Sequence, residues 1–316
     1  MSEILTIPNC IYRTPLSNWT SKATVRCKPH RLIDESSPEE GFFFPPALAP
    51  TCSHHLIAHH GQEMVQELLI KRLYAYLNFT SILEHHAVNP VLLDITSNDM
   101  GLTLPSGMRF DAYKIYCDEA YHALFSTDLK RQIESLTGVV DTVVAMPAFM
   151  IKLRHIQSTV PKSLERLVML CFAVVSETLI SATLSSIPQD SSVVRVVREV
   201  VADHAQDERR HHAYFIKLME LVWPQLSTNE RRVLGPLFPT FIMSFLEPDY
   251  TALQLILRRC ISIETAQELI QECHPRAIVV RDAKEAARAT MRLLARMGVL
   301  DDHRTEAAFQ EAGLLG

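Results

Sequence analysis

The chain reads VRVVREVVADHAQDERRHHAYFIKL from Val194 to Leu218, and this stretch decides the fold class. One stripe of residues runs along it at alternating intervals of three and four positions: Val194, Val197, Val201, His204, Glu208, His211, Phe215 and Leu218. That spacing is typical of the inward face of an amphipathic helix. Its three polar members stand in the middle of the apolar stripe, where burial without a partner is costly. A metal cation is the natural partner, so the stretch predicts a metal-binding helix.

The same chemistry occurs twice along the chain, each time as a lone glutamate followed by a Glu-x-x-His motif. The two copies consist of Glu84, Glu119 and His122, and of Glu177, Glu208 and His211. A glutamate and a histidine three positions apart lie on one face of a helix and point to the same place. Helices of this kind, facing one another, build the dinuclear metal centre of ferritin-like bundles. With His204, these residues are the seven predicted metal ligands.

The intervals between the glutamates favour a metal site over the alternative of solvated or salt-bridged carboxylates. Glu119 follows Glu84 by 35 positions, and Glu208 follows Glu177 by 31. Each interval fits one long helix, a turn and part of a second helix, as an antiparallel helix pair requires. Ligands rich in carboxylates and poor in imidazoles suit hard or borderline metals. We therefore expect two iron ions, with manganese as the second choice.

An aspartate directly precedes each Glu-x-x-His motif. These aspartates are Asp118 and Asp207. Histidines that bind a metal usually donate their other N–H to a carboxylate or a carbonyl, which fixes the tautomer. We predict this role for Asp118 and Asp207. The alternative is that each is a surface acid one position away from the core face.

The rest of the chain has helical periodicity and helical start and stop signals, which predict an all-α, ferritin-like bundle. The helices are expected at about 61–87, 109–136, 161–186, 193–223, 227–247, 250–261, 263–273, 278–297 and 302–312. The first is expected to stop at Asn89-Pro90, because proline breaks helices. Prolines also make residues 1–58 irregular. We predict one domain over 1–316, in which this arm wraps a metal-binding core (59–224) and extra C-terminal helices (225–316) flank it.

Composition narrows the classes of function. The 31 basic and 36 acidic residues are interspersed, so no basic surface for nucleic acid is expected. The seven cysteines include no C-x-x-C pair and indicate reduced thiols. We see no signal peptide and no apolar run long enough to cross a bilayer. We therefore expect a cytoplasmic protein without a nucleic acid or membrane partner.

The paired motifs resemble those of a known family. The stretches Glu84…Asp118-Glu119-Ala120-Tyr121-His122 and Glu177…Asp207-Glu208-Arg209-Arg210-His211 resemble the di-iron N-oxygenases typified by p-aminobenzoate N-oxygenase. His204 adds to the resemblance, since this family uses a histidine one turn before the last glutamate as a seventh protein ligand. By motif, the resemblance covers residues 60–220.

The resemblance implies a ferritin-like core that holds two irons and uses O2 to oxidise a small amine. Arylamines or amino acids, free or tethered to a carrier domain, would become hydroxylamine, nitroso or nitro products in natural-product biosynthesis. A ferredoxin or a flavin reductase would supply electrons, and a homodimer is expected on the same grounds.

Two residues are predicted to contact the substrate, and two alternative functions remain open. Arg281 is predicted to pair with a substrate carboxylate, and Ser181, one turn after Glu177, to line the pocket. The alternatives are a surface arginine and a packed serine. A di-iron C–H hydroxylase or desaturase of acyl or aminoacyl substrates stays open, although His204 argues against it. The second alternative, a non-catalytic ferritin-like iron-binding protein, also stays open, although the arm and the extra helices argue against it.

Overall fold

The protein is described here from a computed structural model that covers residues 12–34, 40–142 and 146–315, without the side chains of 181–183. Residues 1–11 and 35–39 of the predicted arm lie outside this description. Within it the helices are α1 (Trp19–Lys22), α2 (Thr24–Cys27), α3 (His55–Ala58), α4 (Gln62–Leu83), α5 (Asn89–Ser97), α6 (Ser106–Thr137), α7 (Ala148–Thr159), α8 (Glu165–Leu184), α9 (Arg195–Val222), α10 (Thr228–Leu234), α11 (Phe238–Leu246), α12 (Tyr250–Leu257), α13 (Ile263–Cys273), α14 (Arg276–Ala286), α15 (Arg288–Arg296) and α16 (His303–Glu311).

The architecture is all-α, which confirms the predicted fold class. In the described ranges the only extended pairing is an isolated bridge between Phe42 and Val193. Four long helices form the centre: α8 packs on α9, α4 on α6, and α6 on α9. The buried apolar core runs from Leu16 in the arm to Leu314 after α16. Among the described residues, no helix is both long and apolar enough to cross a membrane.

The first core helix does not stop at Asn89-Pro90, so that prediction was wrong. After α4 the chain makes one wide π-helical turn over Glu84–Val88, in which the Asn89 N–H donates to the carbonyl of Glu84. The chain then continues as α5. Pro90 is tolerated because it lies in the first turn of α5, where its missing N–H costs little. Wide turns of this kind are frequent at functional sites, and this one begins at a predicted metal ligand.

Three other segments differ from the sequence predictions. The segment predicted as one helix over 227–247 is two helices, α10 and α11, separated by a 3-10 turn at Gly235–Leu237. Helix α7 was not foreseen, although its buried residues Phe149, Met150, Leu153 and Ile156 have helical spacing. The segment predicted as one helix over 278–297 is two helices, α14 and α15, which meet at Ala287. The break allows α15 to pack on α8, where the buried Thr290 hydroxyl donates to Thr178 Oγ1 at 2.9 Å.

The start of the turn that joins α10 to α11 leaves no room for a side chain. A Cβ placed on Gly235 would collide with the Thr305 hydroxyl of α16, and Thr305 is fully buried. We expect Gly235→Ala to destabilise the protein by about 1–3 kcal/mol because a packed core resists added volume. Urea unfolding measures the change. The double variant G235A/T305A should recover part of the loss, and equal midpoints for G235A and the unchanged protein would contradict the prediction.

Candidate metal centre

The structure brings the seven predicted ligands together from four helical segments. Glu84 begins the π-helical turn after α4, Glu119 and His122 lie on α6, Glu177 lies on α8, and His204, Glu208 and His211 lie on α9. Each is at most 2% exposed. Their spacing explains the convergence, because each residue occupies the core-facing stripe of its own helix. The site therefore lies inside the bundle.

The ligand atoms form two groups. Glu84, His122 and His204 form one group, and Glu119, Glu177, Glu208 and His211 form the other. Within each group the potential ligand atoms lie within 4.8 Å of one another, close enough to hold a cation between them. Two adjacent groups of this kind fit two metal ions.

Glu119 and Glu208 lie between the two groups. The Glu119 carboxylate places one oxygen 3.1 Å from His122 Nδ1 and the other 2.9 Å from His211 Nδ1. Glu208 Oε1 lies 3.1 Å from His204 Nε2 and 3.3 Å from His211 Nδ1. Each carboxylate thus contacts imidazoles of both groups, as a carboxylate that bridges two metal ions would.

Several buried carboxylate oxygens in this region form no hydrogen bond, even where an imidazole nitrogen lies as close as 2.9 Å, and this shows whether the residues fit a metal. They are both oxygens of Glu84, Oε1 of Glu119, Oε2 of Glu177 and Oε2 of Glu208. A buried carboxylate without a donor costs free energy that a bound cation removes. Four carboxylates with three imidazoles form an oxygen-rich donor set that suits iron or manganese. The residues fit a pair of such ions.

The pKa values show how strongly these groups depend on one another. Burial raises the pKa of Glu84 and Glu177 well above the usual range. Burial also opposes the charge on Glu208, but His211 and His204 outweigh it and lower its pKa. Burial likewise disfavours the charged form of His122, yet Asp207 and Glu119 raise its pKa to about 10. Without a metal, protons on the imidazoles balance the carboxylates, and metal binding would displace those protons.

Each of the two aspartates contacts the histidine of the other Glu-x-x-His motif. Asp118, which precedes Glu119, accepts from His211 Nε2 at 3.1 Å. Asp207, which precedes Glu208, accepts from His122 Nε2 at 3.2 Å. Both contacts leave Nδ1 of the histidine facing the glutamates. The aspartates are fully buried and not on the surface, and each links α6 to α9.

The N-terminal arm holds the same two aspartates from outside. Trp19 Nε1 donates to both oxygens of Asp118 at 2.9 Å. The Thr24 N–H donates to Asp207 at 3.1 Å, and the Thr24 hydroxyl also contacts this carboxylate. The arm therefore supports the histidine orientation in both ligand groups.

The predicted substrate contacts are not brought to the centre in the same way. Ser181 lies in α8, but its side chain is outside the described part of the structure. The Arg281 side chain is 67% exposed and pairs with Asp282 at 2.8 Å. Arg281 lines neither of the two cavities that lie against α4.

Two adjoining cavities lie against α4. The inner one has a volume of about 180 Å³, and Thr80 and Ile180 in its wall stand about one turn from Glu84 and Glu177. The outer one has a volume of about 630 Å³. Arg72 and Tyr76 line both cavities. Sequence reasoning missed these two residues, although Arg72, Tyr76, Thr80 and Glu84 recur every four positions, and that pattern could have identified them.

Comparisons with known proteins complete the description of the site. A search of curated proteins finds no match to the chain. The family model of p-aminobenzoate N-oxygenase AurF matches residues 11–298, which is nearly the whole chain. That family has a ferritin-like di-iron helical fold, in agreement with the all-α bundle and its carboxylate–histidine groups. The chain belongs to the p-aminobenzoate N-oxygenase AurF family.

Proposed function

We propose that this protein is a di-iron N-oxygenase that uses O2 to oxidise the primary amine of a small substrate. The substrate is an arylamine or an amino acid, free or tethered to a carrier, and the product is a hydroxylamine, nitroso or nitro compound. The observation that carries the proposal is the pair of buried ligand groups joined by Glu119 and Glu208. Family membership supports the oxidation of an amine nitrogen.

The side chains around the site have distinct roles in this proposal. Glu84, His122 and His204 would hold one iron, and Glu177 and His211 the other, with Glu119 and Glu208 shared. When bound, the iron pair supplies the electrons and the oxygen chemistry. Asp118 and Asp207 keep the metal-facing nitrogens of the histidines unprotonated. Burial of all seven ligands keeps bulk water from the reacting nitrogen.

The electron balance requires a partner. When one oxygen atom of O2 goes to nitrogen and the other leaves as water, the reaction takes up two electrons and two protons. We propose a ferredoxin or a flavin reductase as the donor. We further propose a cytoplasmic homodimer, in natural-product biosynthesis, in which the arm (1–58), the core (59–224) and the flanking helices (225–316) act as one domain. The continuous apolar core supports the single domain.

Mass spectrometry after a single turnover tests the function. Protein loaded anaerobically with ferrous iron is exposed once to ¹⁸O2 in the presence of a panel of arylamines and amino acids. We expect ¹⁸O on the nitrogen of one substrate class and none in the metal-free protein. Labelled carbon products would indicate a C–H hydroxylase instead. Iron oxidation without any labelled product, for carrier-bound amines as well as free ones, would favour iron storage.

A further inference from the structure

The N-terminal arm presents a basic surface above α6 and α9. Residues 12–33 include five arginines and lysines and no aspartate or glutamate, although the whole chain has a net charge of −5. Lys22 and Arg26 are exposed and form no ion pair with any described residue. Arg209 of α9, also exposed, extends the surface, because Gln206 one turn earlier donates to the Lys22 carbonyl at 2.8 Å. Positive charge thus collects around the two short helices α1 and α2.

The acidic residues beneath this surface do not neutralise it. They face the interior and are each at most 7% exposed: Asp111, Asp118, Asp203 and Asp207. Asp118 and Asp207 are already bound to histidines of the candidate centre. The outward charge of the arm therefore stays positive, and a partner of opposite charge suits it.

Trp19 connects the basic surface to the candidate metal centre. Its ring is partly exposed and lies beside Arg26, with 5.8 Å between the guanidinium carbon and the ring centroid. Its indole N–H donates to both oxygens of Asp118 at 2.9 Å, and Asp118 accepts from His211 Nε2 at 3.1 Å. From the indole to the candidate ligand no gap between heavy atoms exceeds 3.1 Å. The chain of contacts is a short route for an electron.

The arm holds the two aspartates with different groups. Asp207 accepts from the backbone N–H and contacts the hydroxyl of Thr24, which are enough to orient a carboxylate. Asp118 accepts instead from an indole, which orients the carboxylate in the same way and adds an oxidisable aromatic ring that reaches the surface. Orientation alone therefore does not explain the tryptophan.

An exposed aromatic residue beside the arm indicates that the partner is a protein. Phe110 of α6 is 63% exposed. The Lys114 ammonium lies over its ring, 5.1 Å from the centroid, and also contacts the Leu16 carbonyl of the arm at 3.4 Å. Protein interfaces are enriched in aromatic residues and arginine and have a polar rim. The surface fits a macromolecule better than a small anion.

We propose that an acidic ferredoxin docks on the arm around Trp19 and passes electrons to the candidate metal centre through the indole, Asp118 and His211. This inference rests on the proposed function and gives its electron donor a charge and a docking site. Each reduced ferredoxin gives up one electron, so two of them return two ferric ions to the ferrous state and are themselves oxidised. Opposite charges speed the encounter and orient the two proteins.

Binding without turnover is the first test. The full chain, both metal-free and iron-loaded, is titrated with an oxidised, acidic plant-type ferredoxin by isothermal titration calorimetry at increasing concentrations of sodium chloride. We expect binding that weakens as salt screens the charges, and a loss of at least about tenfold at low salt in Lys22→Glu/Arg26→Glu. Arg288→Glu/Arg292→Glu reverses two exposed charges of α15 and is the matched control, which should bind as the unchanged protein does. Circular dichroism checks the fold of both variants.

The rate of reduction tests the route. Stopped-flow absorbance follows the loss of the ferric bands after iron-loaded protein meets reduced ferredoxin or dithionite, a small reductant that needs no docking surface. Trp19→Phe keeps an aromatic ring and loses the indole N–H. We expect it to slow reduction by ferredoxin at least about tenfold and to leave reduction by dithionite unchanged. Thr24→Val, which removes the hydroxyl contact to Asp207, controls for a loosened arm and should affect both reductants alike.

The outcomes separate this inference from the proposed function. Salt-independent binding, full binding by K22E/R26E, or an unchanged ferredoxin rate in W19F would overturn it. Fast reduction by free reduced flavin without ferredoxin binding would also overturn it and favour a flavin reductase. A dimer that K22E/R26E converts to a monomer in analytical ultracentrifugation, without ferredoxin binding, would assign the surface to a second copy. The ¹⁸O2 single turnover starts from ferrous protein and needs no donor, so its failure would concern the N-oxygenase proposal alone.

Discussion

Glutamine in place of Glu208 will remove both metal ions, because this carboxylate contacts imidazoles of both ligand groups. The substitution keeps the size of the side chain and removes the negative charge. Its lost contact with His204 affects one metal position, and its lost contact with His211 affects the other. The expected iron content after anaerobic loading falls from two ions per chain to less than one. Inductively coupled plasma mass spectrometry of the desalted protein measures it.

Comparison variants make the Glu208 result specific. Glu84 belongs to one ligand group and Glu177 to the other, so Glu84→Gln and Glu177→Gln should each retain about one iron. Glu220→Gln changes an exposed glutamate of the same helix, which pairs with Arg296 away from the candidate centre, and should retain two. Two tightly bound irons in E208Q would contradict a shared role for Glu208.

The Asp118→Asn variant will weaken metal binding at the position of His211. The Asp118 carboxylate accepts from His211 Nε2, which leaves Nδ1 free to face the metal. An amide can offer an N–H to the imidazole instead and so loses control of the tautomer. Loss of such a partner typically costs about 10–100-fold in metal affinity. Competition with a chelator of known affinity measures this change.

Asp111 provides the matched control on the same helix. It is also buried and accepts from Tyr12 and Lys114, but it contacts no histidine of the candidate centre. Asp111→Asn should lower the free energy of unfolding and leave the metal affinity unchanged. Equal losses of metal affinity in D111N and D118N would indicate that the arm acts through general stability and not through His211.

The convergence of the seven candidate ligands could be predicted from the sequence because burying a charged residue is expensive. His204, Glu208 and His211 interrupt an apolar stripe, and only a shared buried partner makes that pattern stable. Most of the long helices followed from periodicity, whereas the proline signal at Asn89-Pro90 was misleading and α7 was missed. The cost of burying charge and the helical periodicity can both be read from neighbouring positions in the sequence, and both apply to the candidate ligands.

Contacts between distant segments could not be predicted in the same way. Thr24 meets Asp207 across 183 positions of sequence, and nothing in the periodicity of either segment indicates this pair. Arg72 resembles any charged helix residue until the cavities beside it are known. The choice of Arg281 rested on residue type alone, and the exposed position of this side chain has no sequence signal that would have excluded it.

The wide turn at Glu84–Val88 makes this part of the chain sensitive to length rather than to composition. Its two exposed histidines, His85 and His86, face away from the core and should tolerate many substitutions. Deleting either one would let the helix continue in regular α geometry. A π-helical turn holds one residue more than an α-helical turn over nearly the same rotation, so α5 and the residues before Glu84 would keep their facing. The change would fall on Glu84 itself, so a deletion in this turn should displace one candidate ligand and leave the bundle folded.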